Sequence, residues 1–402
     1  MKKQLLTAAI LCCFVIAGST AAPKSAKKKP KIPVSRVQTH MDGYLGDRID
    51  ACIRVRVCSE DPDLLVAPMR RQTETSLWQS EFWGKWTLGA IASYRYNKDP
   101  ELLRKIEGGV ESLLVTQQPD GYIGNYAPEA QLTNWDVWGR KYTMLGLLAY
   151  YDLTGDKKAL DGTVRLADHL LTQIPAVRQI ERTGIYRGMS SCSILEPIML
   201  LYNRTLDEKY LDFARYIVDR MESADGPQLI AKALDGVPVS ERFPLDDPSR
   251  GWFVWENGQK AYEMMSCYDG LLELYKVTND PRYLKAVEAT VTSIIADEIN
   301  IAGSGSSFEC FYKGKALQTE PAYHTMETCV TMTWMKLCYD LLRLTRNPLY
   351  ADQIERSAYN ALAASMKEDA SQIAKYSPLE GARSAGEEQC GMHVNCCNMN
   401  GP

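Results

Sequence analysis

Four stretches of this chain repeat one pattern, and a fifth follows it. Tyr94 to Leu102 passes through Asn97-Lys98-Asp99-Pro100, and Tyr151 to Leu160 through Thr154-Gly155-Asp156. Tyr202 to Leu211 passes through Thr205-Leu206-Asp207, and Tyr275 to Leu284 through Thr278-Asn279-Asp280-Pro281. Leu342 to Tyr350, through Thr345, Asn347 and Pro348, is the fifth. In each, an apolar helix ends at a Tyr or Leu, a short polar element breaks it, and an Asp or Asn caps a second amphipathic helix. The preceding segments read as helices: Trp86 to Tyr94, Tyr142 to Tyr151, Ile194 to Tyr202, Tyr262 to Tyr275 and Val330 to Leu344. Copies lie roughly 50 to 75 residues apart, too far for a short-repeat solenoid. The fold class that fits is all-α, an (α/α)6 toroid of helical hairpins, with an open helical solenoid as the alternative.

A toroid of this kind lines one cleft with its inner helix ends and their loops. Gln117 to Tyr126 is a turn-rich loop containing Asp120, Gly121 and Tyr122. Trp83, Trp86, Trp135, Trp138, Trp252 and Trp255 fall at or near helix starts. Such aromatics stack on the apolar C–H faces of sugar rings, although core packing is the commoner use of any one tryptophan.

The first residues stand apart from this architecture. Lys2 and Lys3 precede the apolar run Leu5 to Ala17, and Ser19-Thr20-Ala21 is a small-residue cleavage pattern. Residues 1–21 therefore read as a secretory signal peptide, the run being too short for a membrane span. Cys12 invites a lipoprotein reading, but Leu11 is a poor residue before a lipidated cysteine. Residues 22–37 carry five lysines and three prolines and read as an extended basic linker. The expected location is periplasmic or secreted, with 38–402 as the folded domain. No later segment is long and apolar enough to span a bilayer. The net charge of −4 gives no reason to expect a nucleic-acid partner.

Ten cysteines follow the leader, at 52, 58, 192, 267, 310, 329, 338, 390, 396 and 397. Disulfides are the default in an exported chain, but a domain this large does not need them. Cys396 and Cys397 are adjacent, and adjacent cysteines rarely bond to each other because the ring is strained. Both can face one metal. Glu327 and Cys329 lie upstream, before a long amphipathic helix, and a thiolate and carboxylate set suits zinc. Their spacing of two fits a helix lead-in or first turn, where free N–H groups favour thiolate. Buried free thiols and unrelated disulfides remain open on this pattern.

The Tyr-x-x-Thr-Gly-Asp hairpins, Gln118-Pro119-Asp120-Gly121-Tyr122, Glu327-Thr328-Cys329 and Cys396-Cys397 together resemble glycoside hydrolase family 127, from about His40 to Pro402. The pairing of Glu-x-Cys with Cys-Cys is the specific part. The resemblance implies an exported, retaining hydrolase of the non-reducing-end β-L-arabinofuranosidase type, acting on plant or algal glycan. It implies a zinc ion held by Glu327, Cys329, Cys396 and Cys397, with Cys396 as nucleophile. It implies Glu309 as acid/base, ahead of Glu320, and Tyr376 as a tyrosine near the thiolate. Relatives continue into β-sandwich domains, so a chain ending at Pro402 reads as truncated.

The sequence also departs from that family, whose arabinofuranosidases hold the sugar with several histidines. Only His40, His169, His324 and His393 occur, and the corresponding helix starts read Arg140-Lys141, Ser190-Ser191 and Gln259-Lys260. Lysines in a sugar cleft pair with carboxylates, so Lys141 and Lys260, with Trp138 and Tyr122, are the expected substrate-binding residues, and an acidic sugar enters as a candidate. Two competing functions are a metal-free unsaturated-uronyl hydrolase or lyase using Asp120 or Asp136, and a non-catalytic glycan-binding helical domain. Oligomeric state is not legible.

Overall fold

The computed structural model describes residues 39–243, 259–317, 324–383 and 388–402. The signal and linker readings, Trp252, Trp255 and Glu320 lie outside them. Among the described residues there are helices and isolated bridges but no strands.

Each predicted break folds as a helical hairpin. The pairs are Glu81–Asn97 with Pro100–Leu114, Asp136–Thr154 with Lys157–Gln173, Leu195–Thr205 with Glu208–Met221, Ala261–Thr278 with Pro281–Asp297, and Thr328–Thr345 with Pro348–Ser357. The linker chemistry is the same in all five. The first helix ends in a left-handed residue: Lys98, Gly155, Leu206, Asn279 or Arg346. The next residue, Asp99, Asp156, Asp207, Asp280 or Asn347, caps the second helix by accepting from the backbone N–H two positions on. Its own N–H donates back to Asn97, Thr154, Thr205, Thr278 or Thr345. Each half-turn therefore satisfies groups that helix ends otherwise leave bare.

The first helices of the pairs form the inner ring, each packing on the next. The ring closes through a sixth inner element of only five residues, Cys396–Asn400, which packs on both Thr328–Thr345 and Glu81–Asn97. The helix Gly43–Cys52 continues as a π-helical turn at Ile53–Val57, and that turn packs on Glu81–Asn97. The chain is thus an (α/α)6 toroid, not an open solenoid. One continuous apolar core runs between the helix layers and includes Trp83, Trp86 and Trp334.

The two rims of the ring differ. At one, the short capped linkers join inner to outer helices. At the other, long connections lead into the first turns of the inner helices. An apolar groove of about 810 Å3 lies on the outer wall, between Gly43–Cys52 and the fifth hairpin, and contains no member of the Glu/Cys cluster.

Candidate active site

A cleft of about 480 Å3 opens where the inner helices begin. Its floor comes from their first turns: Glu81 and Lys85, Trp138, Tyr262 and Glu263, Glu327, and Cys396. Loops add Trp78, Trp135, Tyr186, Glu309, Lys375 and Gln389. Glu327 is the N-cap of Thr328–Thr345 and Cys329 sits in its first turn, while Cys396 opens the sixth inner element.

Glu327, Cys329, Cys396 and Cys397 offer four ligand atoms within 4.8 Å of one another. The separations are 3.9 Å between Cys396 Sγ and Cys397 Sγ, 3.4 Å from Cys397 Sγ to Cys329 Sγ, and 3.7 and 4.0 Å from Glu327 Oε1 to Cys397 and Cys396. A tetrahedral zinc with Zn–S bonds of about 2.3 Å needs ligand edges of roughly 3.8 Å. Three sulfurs and one carboxylate at these separations fit that ion. All ten cysteines among the described residues are free thiols, so no disulfide competes for the cluster.

The three sulfurs are not equivalent. Cys329 and Cys397 are fully covered, whereas Cys396 retains 7% exposure and lines the cleft. Hydrogen bonds from the Cys329 and Cys397 thiols hold the Cys396 thiol well below its ordinary value against burial, helped by Lys85 and Lys375. Burial pushes the other two up. Cys396 is therefore the sulfur of the three that the cleft reaches.

Glu309 projects from a tight turn in which Phe308 and Glu309 both take left-handed backbone angles, φ 50° and 65°. Non-glycine residues adopt that region at a cost of about 1 kcal/mol each. The Glu309 carbonyl accepts from Ala261 N at 2.9 Å, locking the turn to an inner helix start. Its carboxylate meets Lys260 Nζ at 2.8 Å, Lys375 Nζ at 3.2 Å and the Tyr376 hydroxyl at 2.9 Å. Burial raises this carboxyl, but Lys260 and Lys375 outweigh it and hold it well below the usual carboxylate range. Lys375 and Tyr376 are themselves placed by Thr328, whose N–H and hydroxyl donate to the carbonyls of Lys375 (3.1 Å) and Ala374 (2.7 Å).

Trp138 and Lys260 line the cleft, but two other expected substrate contacts do not. Tyr122 is buried behind it and donates to Asp136 Oδ1 at 2.9 Å, in a network where Arg140 and Asp136 pair at 2.6 Å. Lys141 points beneath the floor, its ammonium 4.5 Å from the Trp138 ring centroid, beside a chamber of about 80 Å3 shared with Glu196, Asp269 and Lys336. Burial pushes its ammonium down to about 8. Asp136 is committed to Arg140, and Asp120 pairs on the surface with His169 at 3.3 Å. Neither lines the cleft, which removes the acid that the uronyl-hydrolase reading needs. Of the tryptophans, Trp83 and Trp86 are core, donating to the carbonyls of Gly109 and Val57.

Sequence reasoning passed over Glu81, Lys85, Glu263 and Lys375. Lys85 donates to Glu81 at 2.8 Å across one buried helical turn, and the Trp138 indole donates to the same carboxylate. The four-residue spacing of Glu81 and Lys85, and the adjacency of Lys375 to Tyr376, were available signals.

This geometry has relatives. The family model described as "Beta-L-arabinofuranosidase, GH127 catalytic domain" matches residues 38–402. The non-reducing end β-L-arabinofuranosidase of Bifidobacterium longum subsp. longum is 22% identical over 322 residues, 74% of this chain and 47% of that protein. The chain thus spans about half the length of the curated relative it matches. A crystal structure of a family 127 β-L-arabinofuranosidase from Geobacillus stearothermophilus T6 is similar with a TM-score of 0.69 at 21% identity, covering 90% of this chain and 63% of that one. A family 88 glycosyl hydrolase from Bacteroides vulgatus gives 0.55 at 12% identity, covering 89% and 95%. At these identities the solved structures speak to the fold alone. The family match spans the complete helical ring and all four residues of the sulfur cluster, and the chain belongs to glycoside hydrolase family 127 as one of its catalytic domains.

Proposed function

We propose that this chain is the catalytic part of an exported, retaining glycoside hydrolase that removes a non-reducing-end sugar of the β-L-arabinofuranoside type, using Cys396 as nucleophile. The observation that carries this is the cluster of Glu327, Cys329, Cys396 and Cys397, with Cys396 turned to the cleft. Zinc, when bound by Glu327, Cys329, Cys396 and Cys397, keeps the sulfurs ionised at neutral pH.

The chemistry follows from the chain's own groups. Cys396 Sγ attacks the anomeric carbon, forming a C–S bond as the C–O bond to the leaving group breaks. Glu309 delivers a proton to the departing oxygen, then takes one from the water that cleaves the C–S bond. Two lysines keep Glu309 ionised in the free protein, so it suits the base role as it stands. Acting as the acid requires the sugar to separate it from Lys260 or Lys375. Tyr376 orients the carboxylate through its hydroxyl. Trp78, Trp135 and Trp138 offer aromatic walls to the sugar's C–H faces. The acidic-sugar alternative loses support, since Lys141 is absent from the cleft lining and Lys260 is paired with Glu309. The leader-like residues 1–21 support export.

Elemental analysis with thiol counting tests the reading. About one zinc per chain is expected, lost in Cys329→Ala and Cys397→Ala. Turnover of 4-nitrophenyl β-L-arabinofuranoside should vanish in Cys396→Ala. Metal-free protein with these cysteines in disulfides would overturn the site. Sugar binding without turnover would favour the non-catalytic glycan-binding domain.

A further inference from the structure

Among the described residues four carboxylates line the cleft, and three are taken. Glu81 accepts from Lys85 and the Trp138 indole. Glu309 holds Lys260, Lys375 and Tyr376. Glu327 belongs to the sulfur cluster. The fourth is Glu263, in the first turn of Ala261–Thr278. It is 5% exposed, and its Oε2 has no hydrogen-bond partner among the described residues.

A buried carboxylate oxygen without a donor forgoes the hydration it would have in water. In a site cleft, such a group is one a bound water or ligand can complete. Nothing about the local helix requires an acid here. Glu263 makes no ion pair with Lys260, three residues earlier, because that lysine turns to Glu309. Burial accordingly pushes the Glu263 carboxyl up to about 7.

Among the described residues three lysines line the cleft, and each already has a carboxylate partner: Lys85 on Glu81, Lys260 and Lys375 on Glu309. Among the described residues the cationic donors of the cleft are spent. The vacant Oε2 accepts when Glu263 is ionised, and the carboxyl donates when protonated. A sugar hydroxyl, donor and acceptor at once, satisfies either state. A uronate carboxylate meets a like charge whenever Glu263 is ionised, in a desolvated space.

Resting on the hydrolase reading above, we propose that Glu263 is a specificity-determining residue: it accepts a hydroxyl hydrogen of the sugar in the cleft and selects neutral sugars over uronic acids.

Binding and turnover separate this proposal from the reading beneath it. Quenching of tryptophan fluorescence, with Trp78, Trp135 and Trp138 at the cleft, reports the titration of the 402-residue chain with L-arabinose, D-galactose, D-glucose and D-galacturonate. The parent chain should bind at least one neutral sugar more tightly than the uronate. Glu263→Ala should weaken that neutral sugar at least tenfold. Glu263→Gln, which retains a carbonyl acceptor, should lose less, and thermal melting should show both variants folded. Tighter binding of galacturonate than of any neutral sugar, no binding of any sugar, or a Glu263→Ala affinity within twofold of the parent would each overturn the proposal. Hydrolysis of 4-nitrophenyl β-L-arabinofuranoside is followed in parallel. Binding as expected with no turnover rejects the hydrolase reading and leaves Glu263 as a sugar-selecting residue.

Discussion

At the scale of single residues, the site is a set of charges that hold one another in unequal states. Glu309 is the clearest case. Its carboxyl lies below the ordinary range because Lys260 and Lys375 outweigh its burial. If Glu309 is the acid proposed above, the alkaline limb of kcat/KM follows its protonation. Lys260→Met removes one cation and raises the Glu309 carboxyl. The alkaline limb should then move upward by about one pH unit or more, and a limb that stays in place would assign the proton to another group. The same depression has a stability consequence. Glu309 contributes stability above the ordinary glutamate value of about 4.3, and that contribution is lost as pH falls toward its lower folded value. Acid melts of the parent and Glu309→Gln should therefore diverge at neutral pH and converge in strong acid. The adjacent cysteines and the Glu-x-Cys only suggested a shared site in the sequence; the family resemblance named the four residues, which the structure brings together. The lysines were not equally readable. Lys260 and Lys141 both stand near inner helix starts, yet three residues beyond Trp138 carries Lys141 one turn deeper, under the floor. Tyr122 was misplaced for a different reason: its loop is turn-rich, but its hydroxyl has a buried partner in Asp136.

At the scale of elements, the five capped linkers decide where helices stop and restart. This is why five hairpins could be read directly. The information for each is confined to four consecutive residues and acts through backbone hydrogen bonds that need no distant partner. Removing one cap acceptor should be felt locally. Asp207→Ala is expected to lower stability by about 1 kcal/mol, read as a shift in the urea midpoint without a change of slope. The left-handed residue before each cap gives the opposite prediction. Leu206 holds φ 57° with its side chain 67% exposed. Leu206→Gly relieves the backbone and should stabilise by about 0.5–1 kcal/mol, whereas the same change at a helix interior would destabilise. The sixth inner element carries none of this signature. Cys396–Asn400 is too short for periodicity and is capped by Asn395 within a loop, so only the packed ring reveals its place.

At the scale of the molecule, ring closure and the sulfur cluster involve the same residues. Cys396–Asn400 joins the last inner helix to the first, and its two cysteines meet Glu327 and Cys329 at the start of Thr328–Thr345. A metal held by these four groups would tie the closing element to its neighbour, so metal loading and global stability should be linked. Treatment of zinc-loaded protein with a strong chelator should lower Tm by at least about 5 °C, and readdition of zinc should restore it. A Tm indifferent to chelation would mean that apolar packing alone closes the ring.

The two unlike rims carry a further consequence. Short capped linkers define one rim, and every cleft residue arises from the other, on first turns and the long connections leading into them. What the protein recognises is therefore written on a different surface from what makes it fold. A catalyst divided in this way is open to grafting. Connections on the cleft rim can be exchanged while the capped rim keeps the register of the helices.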